Sequence, residues 1–237
     1  MIKKRPRAVR PGQAGRPGPV IPFIPAGVIL DMDGLMLDTE QLEKRLYIKI
    51  SGEMGWPTPE SILIKMIGVD EDDTDLFYKK QYGADYPYRE IWAAVVKEEI
   101  EEAEKNGLPQ KPGLTVLLNK LKDLKIPMAV ATSAERKRAQ WKLSRAGILD
   151  YFTVLACGDE VERGKPEPDV FLLAAERLGV NPGDCVGFDD SPVGLAGLAA
   201  AGIFSVFIKD LAEPPPEILK TVWRRCADLE EASLLFD

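Results

Sequence analysis

The sequence predicts a doubly wound α/β core with a parallel sheet, and a helical cap domain inserted after the first strand. Short apolar segments alternate with amphipathic helical segments from residue 114 to residue 208, which is the pattern of a parallel sheet. Several apolar segments end in polar residues, as strands do where an open parallel sheet builds its site. A long helical stretch without a convincing strand separates the first apolar segment from the rest. We therefore expect a Rossmann-like core that is interrupted by a cap.

The first strand and the cap come first in the folded part of the chain. Gly27 to Leu30 form a short apolar run that ends in turn-forming residues, which predicts a buried strand. Residues 40–106 show helical periodicity interrupted by glycine and proline, and this predicts four helices, entered near Asp38. Hinges at such breaks suit a moving lid. The predicted domains are a cap at residues 39–109 and a core at residues 26–38 and 110–237.

Beyond the cap, helices and strands alternate regularly, and glycines such as Gly147 and Gly179 end helical segments. The connections between parallel strands are expected to be right-handed. After Ile208, consecutive prolines and an amphipathic segment predict a closing helix on the sheet edge. The predicted helices cover residues 114–124, 135–146, 169–178 and 193–201, and the predicted strands cover residues 128–132, 153–156, 185–188 and 204–208.

The composition of residues 1–25 predicts a disordered tail. The segment is rich in proline and glycine and contains no acidic residue, so it cannot bury a core. We interpret it as a dispensable extension rather than as a targeting or anion-binding element. Its basic residues are Lys3, Lys4, Arg5, Arg7, Arg10 and Arg16.

Composition excludes several functional classes. The chain has no histidine, which excludes Ser-His-Asp and Cys-His catalysis and histidine-based metal sites. Its formal net charge of −7 argues against nucleic acid as a partner of the folded part. Without a long apolar run or a signal-peptide core, we expect a cytoplasmic protein with no membrane partner. Cys157, Cys185 and Cys226 lack metal-site spacing, so we expect buried, reduced thiols.

Two aspartates, Asp31 and Asp33, directly follow the first predicted strand and precede Gly34. Side chains at i and i+2 leave a strand on the same face, so both carboxylates point into one space. A polar turn would also explain Asp and Gly at this position. Three more polar clusters end or flank apolar segments, and together they favour a single crevice. These clusters are Thr132-Ser133, Gly164-Lys165-Pro166 and Asp189-Asp190-Ser191.

This ordered set resembles the haloacid dehalogenase superfamily of phosphohydrolases. The signature of that family is a DxD start, a Ser or Thr ending the second strand, a lysine and a final acidic pair, and the resemblance runs from about Gly27 to about Phe207. The stretch from Gly34 to Glu40 is similar to the start of the helical cap in subfamily I, in the beta-phosphoglucomutase/phosphatase-like branch. The resemblance implies hydrolysis of phosphate esters.

The resemblance also implies a role for each catalytic position. Asp31 is expected to attack phosphorus and form an aspartyl-phosphate, and Asp33 to act as general acid and base. The Thr132 hydroxyl and the Ser133 backbone amide, at a helix start, would bind the phosphoryl oxygens. Lys165 would offset charge on Asp31 and on the transferring group, and thus also contact the substrate.

A cation is expected between the anionic nucleophile and the anionic phosphate, and Mg²⁺ suits hard oxygen ligands best. Asp31, Asp190 and the backbone carbonyl of Asp33 are the predicted ligands. Asp189 is expected either to reach the ion through water or to orient Lys165. Ser191 is expected to cap the following helix rather than to bind substrate.

The cap sequence favours simple hydrolysis over phosphate transfer within a sugar. Where the mutase branch carries a histidine and an arginine, this chain has Glu43 and Glu71, and an acidic loop repels a second phosphate. We expect a phosphatase of a small phosphorylated metabolite, as a monomer or weak dimer, with a phosphosugar mutase as the alternative. A dehalogenase works without metal and would have no function for the second aspartate and the acidic pair. A catalytically silent binding module would not need these residues either. Three basic cap residues are expected to form a solvated helix face rather than a substrate contact: Lys44, Arg45 and Lys49.

Overall fold

A computed structural model describes residue 21 and residues 23–66, 71–210 and 213–237. These residues form two compact units. One unit contains the described residues up to Leu37 together with Gln110–Asp237, and the other contains the described residues of Asp38–Pro109. The chain passes between them at residues 37–38 and 109–110.

The first unit is built on a six-stranded parallel sheet, which confirms the predicted α/β class. The strand order is β3-β2-β1-β4-β5-β6, the order of a doubly wound sheet. The three central strands are buried along their whole length, as expected of a parallel sheet covered on both faces. The strands are β1 (Gly27–Leu30), β2 (Met128–Ala131), β3 (Val154–Ala156), β4 (Cys185–Asp189), β5 (Phe204–Ile208) and β6 (Arg224–Cys226).

Helices of both units have the following bounds. In the second unit they are α1 (Thr39–Glu53), α2 (Glu60–Leu63), α3 (Glu71–Tyr82) and α4 (Tyr88–Asn106). In the first unit they are α5 (Leu114–Asp123), α6 (Arg136–Arg145), α7 (Asp169–Leu178), α8 (Pro192–Ala200), α9 (Pro216–Leu219) and α10 (Leu229–Ser233).

Helix α7 packs on one face of the sheet, against β1, β2 and β3. Its buried residues Val170, Phe171 and Ala174 follow helical spacing and join Ile29 and Ala129 in one apolar cluster. Because side chains alternate across a strand, Val28 and Leu30, which are equally buried, belong to the opposite face. The core thus holds β1 rigidly at the point where its polar residues begin.

The structure corrects the two ends of the predicted core. The segment after Ile208 contains a sixth strand that pairs with β5, and the closing helix α10 packs mainly against α5 while it also contacts the edge strand β6. Ile21 and Phe23, which the sequence predicts to lie in the tail, are part of the fold. The Ile21 N–H donates to the carbonyl of Leu235 at 2.9 Å, and the ring centroids of Phe23 and Phe204 lie 4.9 Å apart. The tail prediction for residues 1–20 and 22 lies outside the described residues.

The second unit is helical, and ion pairs connect its helices. Three basic residues of α1 pair with glutamates: Lys44 with Glu60 at 2.7 Å, Arg45 with Glu102 at 2.6 Å and Lys49 with Glu98 at 2.5 Å. These contacts support the structural interpretation of the three residues over the substrate-binding one.

A buried tyrosine cluster fills the interior of the second unit. The hydroxyl of Tyr86 lies 3.1 Å from that of Tyr47 and 2.7 Å from Oγ1 of Thr58, and its ring stacks on Tyr78 at 5.1 Å. Burial raises the pKa of Tyr47 and Tyr78 above the ordinary value.

The three cysteines are buried and free, as predicted. Burial raises the pKa of Cys157 to about 11, which keeps this thiol protonated at neutral pH. None of the helices in the described part of the chain combines the length and the apolar composition that a membrane span requires.

Candidate active site

The carboxyl ends of β1 and β4 meet where the strand order reverses. Leu30 pairs with Phe188, and the Asp31 N–H donates to the carbonyl of Phe188 at 3.0 Å. Open α/β sheets place their ligands outside the strand ends at this switch point. Asp31 and Asp189 are therefore neighbours across the two strands, as the motif spacing predicts.

Lys165 lies between these two aspartates. Its Nζ donates to Oδ1 of Asp31 at 2.5 Å and to Oδ2 of Asp189 at 2.9 Å. The Lys165 side chain is 5% exposed and also lies 4.9 Å from the ring centroid of Phe171. The loop lysine is thus a buried member of the site and not a solvated surface residue.

The charges of this group change the titration of its members. Burial, reinforced by the charges of Asp189 and Asp33, raises the pKa of Asp31 to about 7, although Lys165 opposes the rise. Burial lowers the pKa of Lys165, but the carboxylates of Asp189 and Asp31 outweigh this effect, so its pKa lies above the ordinary value. Lys165 therefore remains a positive charge at neutral pH.

Asp189 is fixed from two sides. Its Oδ1 accepts hydrogen bonds from the backbone N–H of Ser191 at 2.9 Å and from the Ser191 hydroxyl at 2.7 Å, while its Oδ2 binds Lys165. The Ser191 oxygen in turn accepts from the N–H of Gly194 at 3.0 Å, so Ser191 caps α8 as predicted. These contacts favour Asp189 as the residue that orients Lys165.

Three buried carboxylates meet at the site. Asp31, Asp189 and Asp190 each offer an oxygen atom, and these atoms lie within 4.8 Å of one another. Lys165 contributes one positive charge to this group, which leaves an excess of negative charge that a divalent cation would balance. A cluster of hard oxygen donors of this kind fits Mg²⁺ in its chemistry.

Asp33 lies two residues beyond Asp31, directly before a turn. Gly34 adopts a φ of +82°, a left-handed conformation that favours glycine, and its N–H donates to the carbonyl of Leu37 at 2.9 Å. This turn presents the Asp33 carboxyl, which is 26% exposed, to Nζ of Lys142 at 2.6 Å.

Thr132 and Ser133 follow β2, the strand on the other side of β1. Thr132 is buried, and its Oγ1 accepts a hydrogen bond from the N–H of Ala134 at 3.1 Å. Ser133 is exposed, and α6 begins only at Arg136. The expectation that the Ser133 amide lies at a helix start is therefore wrong, because a short loop comes between them.

Two site residues were missed. Lys142, on α6, contacts Asp33 across 109 positions of sequence. Asp210, just after β5, offers a carboxylate oxygen within 4.8 Å of one from Asp190 and pairs with Lys111 at 2.6 Å. Asp210 follows the rule that identified the other residues, since it is an acidic residue two positions after the end of a predicted strand.

Comparisons with known proteins point to one family. A family model described as haloacid dehalogenase-like hydrolase matches residues 25–202. A phosphorylated carbohydrates phosphatase from Thermotoga maritima is 32% identical over 185 residues, which cover 76% of this chain and 83% of that protein. Hexitol phosphatase A from Escherichia coli is 32% identical over 190 residues, covering 80% of this chain and 85% of that protein. The crystal structure of beta-phosphoglucomutase from Clostridium difficile matches with a TM-score of 0.70 at 23% identity over 87% of this chain and 92% of that one, a likeness of fold alone.

Proposed function

Because the chain belongs to the haloacid dehalogenase-like hydrolases and is a phosphoric monoester hydrolase, we propose that it releases phosphate from a small phosphorylated carbohydrate. The reaction would pass through an aspartyl-phosphate on Asp31 and depend on Mg²⁺. That the protein is a monomer or weak dimer and acts in the cytoplasm stays a prediction.

One observation carries the proposal: a buried aspartate at a strand end is held by a buried lysine that also binds a second buried aspartate. The 2.5 Å contact between Lys165 and Asp31 aims the nucleophile while its other oxygen can face a phosphorus atom. The 2.9 Å contact with Asp189 holds the lysine in place. A binding module would have no need to bury these opposed charges.

Mg²⁺ would be held by Asp31, Asp190 and the backbone carbonyl of Asp33, with Asp189 in an outer position next to Lys165. When bound, the ion would supply positive charge that reduces the electrostatic repulsion between the anionic nucleophile and the anionic phosphate. It would also favour the ionised form of Asp31, whose pKa burial raises to about 7. The cluster of three buried carboxylates supports this assignment.

The residues of the chain would then divide the reaction into two steps. In the first, an Asp31 oxygen forms a bond to phosphorus, the bond from phosphorus to the alcohol oxygen breaks, and Asp33 donates a proton to that oxygen. In the second, Asp33 takes a proton from a water molecule that attacks phosphorus, and the bond to Asp31 breaks. The Thr132 hydroxyl, which accepts from Ala134, retains its own proton for a phosphoryl oxygen.

The experiment is phosphate release from a panel containing sorbitol 6-phosphate, glucose 6-phosphate and β-glucose 1-phosphate, with Mg²⁺ or with chelator. We expect Mg²⁺-dependent release that Asp31→Asn abolishes without loss of fold. Release that survives this substitution would overturn the aspartyl-phosphate route. Conversion of β-glucose 1-phosphate to another sugar phosphate, with no phosphate released, would assign the protein to the mutase class instead.

A further inference from the structure

Helix α6 carries a lysine where its periodicity favours an apolar residue. Its buried residues are Ala139, Lys142 and Leu143, whose i, i+3 and i+4 spacing puts them on one face. The Lys142 side chain is 3% exposed. Burying an ammonium group is costly unless the group is paired, so the position requires a partner that compensates this cost.

Lys142 is paired with a predicted catalytic residue. Lys142 Nζ donates to Oδ1 of Asp33 at 2.6 Å, and the aspartate is the more exposed member of the pair. Lys165 instead contacts Asp31 and Asp189. The two aspartates that follow β1 are therefore each bound by a different lysine.

We infer that Lys142 is a positioning residue that orients the carboxyl group of Asp33 for proton transfer, an inference that rests on the proposed phosphatase function. The terminal torsion of an aspartate is broad, so an unrestrained carboxyl can present either oxygen. An ammonium group only donates hydrogen bonds, so the oxygen that it contacts must accept in both protonation forms of Asp33. The proton exchanged with the alcohol and with water is then carried by Oδ2.

This role affects one kind of substrate more than another. When a sugar alcohol leaves, the bond from phosphorus to oxygen breaks and the oxygen needs the proton from Asp33. A nitrophenolate leaves as a stable anion and needs no proton. A poorly oriented Asp33 should therefore slow release of a sugar and leave release of nitrophenolate nearly unchanged. The ratio kcat/KM reports this step, because it covers the reaction up to departure of the alcohol.

The test compares Lys142→Met, Lys142→Arg and the control Lys137→Met, which changes an exposed lysine of the same helix. For the sugar phosphate that the unaltered protein hydrolyses best, Lys142→Met should lower kcat/KM by about 10- to 100-fold. For p-nitrophenyl phosphate the fall should be under about 3-fold. Lys142→Arg keeps a donor and should recover most of the loss, and Lys137→Met should resemble the unaltered protein.

Further measurements separate this inference from the proposed function and from loss of fold. In an Asp33→Asn background, Lys142→Met should cause no further fall in kcat/KM for the sugar phosphate. Urea unfolding of the two single variants and of the double variant should show that their effects on stability are not additive. Equal falls for both substrates, or no fall at all, would overturn the role of Lys142 while leaving the phosphatase intact. If the unaltered protein releases no phosphate from any ester, the proposed function fails, and the role of Lys142 fails with it.

Discussion

Gly194, the third residue of α8, should not tolerate a side chain. A Cβ atom built there would lie 1.9 Å from Oδ2 of Asp189 and 2.1 Å from its Cγ, well inside contact distance. Asp189 cannot rotate away freely, because it is fully buried and bound by Lys165 and Ser191. We therefore expect Gly194→Ala to displace the carboxylate that holds Lys165.

The magnitude follows from two opposed effects. Replacing glycine by alanine inside a helix stabilises it by up to about 1 kcal/mol. Displacing Asp189 puts its three hydrogen bonds at risk, those from Lys165 and from the N–H and hydroxyl of Ser191. Bonds to a charged group contribute about 1.5–3 kcal/mol each, so losing two costs about 3–6 kcal/mol. The net loss of stability should be about 2–5 kcal/mol.

Urea unfolding of Gly194→Ala should be compared with that of Gly52→Ala. Gly52 is exposed in α1, and an added Cβ meets no atom within 4 Å, so alanine should stabilise the protein by roughly 0.5–1 kcal/mol. Phosphate release by Gly194→Ala should fall about 100-fold, the cost of a misplacement near 1 Å. If the Gly194→Ala protein is as stable and as active as its parent, the argument that a side chain at this position displaces Asp189 is wrong.

Three further predictions concern charge. Lys165→Met should destabilise metal-free protein by about 3–5 kcal/mol in urea. The loss of stability should grow as the pH rises through about 7, because the folded parent then releases the proton of Asp31, whereas the variant lacks the lysine that lowers this pKa and keeps the proton. Mg²⁺ at a hundred times its Kd should stabilise the parent by about 2.7 kcal/mol in thermal unfolding. The Asp190→Asn variant should lose most of this stabilisation. If Mg²⁺ stabilises parent and variant equally, Asp190 is not a ligand. The guanidinium of Arg177 lowers the pKa of Glu160 to about 2. Glu160→Gln should therefore lower the free energy of unfolding by about 1–3 kcal/mol at pH 7. This difference between parent and variant should narrow as the pH falls from about 4.5 toward 2.

The central strands and their polar ends were predictable because both follow from local pattern. A buried parallel strand is a short apolar run, and β1 and β4 are such runs, each followed by acidic residues. Strand β6 gives no such signal, since it is Arg-Arg-Cys at the edge of the sheet. It is a strand because its backbone pairs with β5, a fact that side-chain pattern does not encode.

Lys142 shows a different limit of sequence reasoning. The spacing of Ala139, Lys142 and Leu143 already indicates that the lysine faces inward. Nothing in that spacing identifies its partner, because Asp33 is 109 residues away and reaches Lys142 only through the packing of the folded unit. A charged residue on the apolar face of a helix is thus a detectable signal, but the residue that it serves follows only from the structure.

The absence of histidine leaves acid–base work to carboxylates, and the two lysines allow their contributions to be separated. Lys165 contacts Asp31, the proposed nucleophile for every ester, so Lys165→Met should lower kcat/KM for a sugar phosphate and for p-nitrophenyl phosphate by similar factors. Lys142 contacts Asp33, the proposed proton donor, which only the poorer leaving group needs, so Lys142→Met should lower kcat/KM mainly for the sugar phosphate. The two variants assayed side by side on both esters give this contrast. If their profiles across the two leaving groups coincide, the separate assignment of nucleophile and proton donor to Asp31 and Asp33 is wrong.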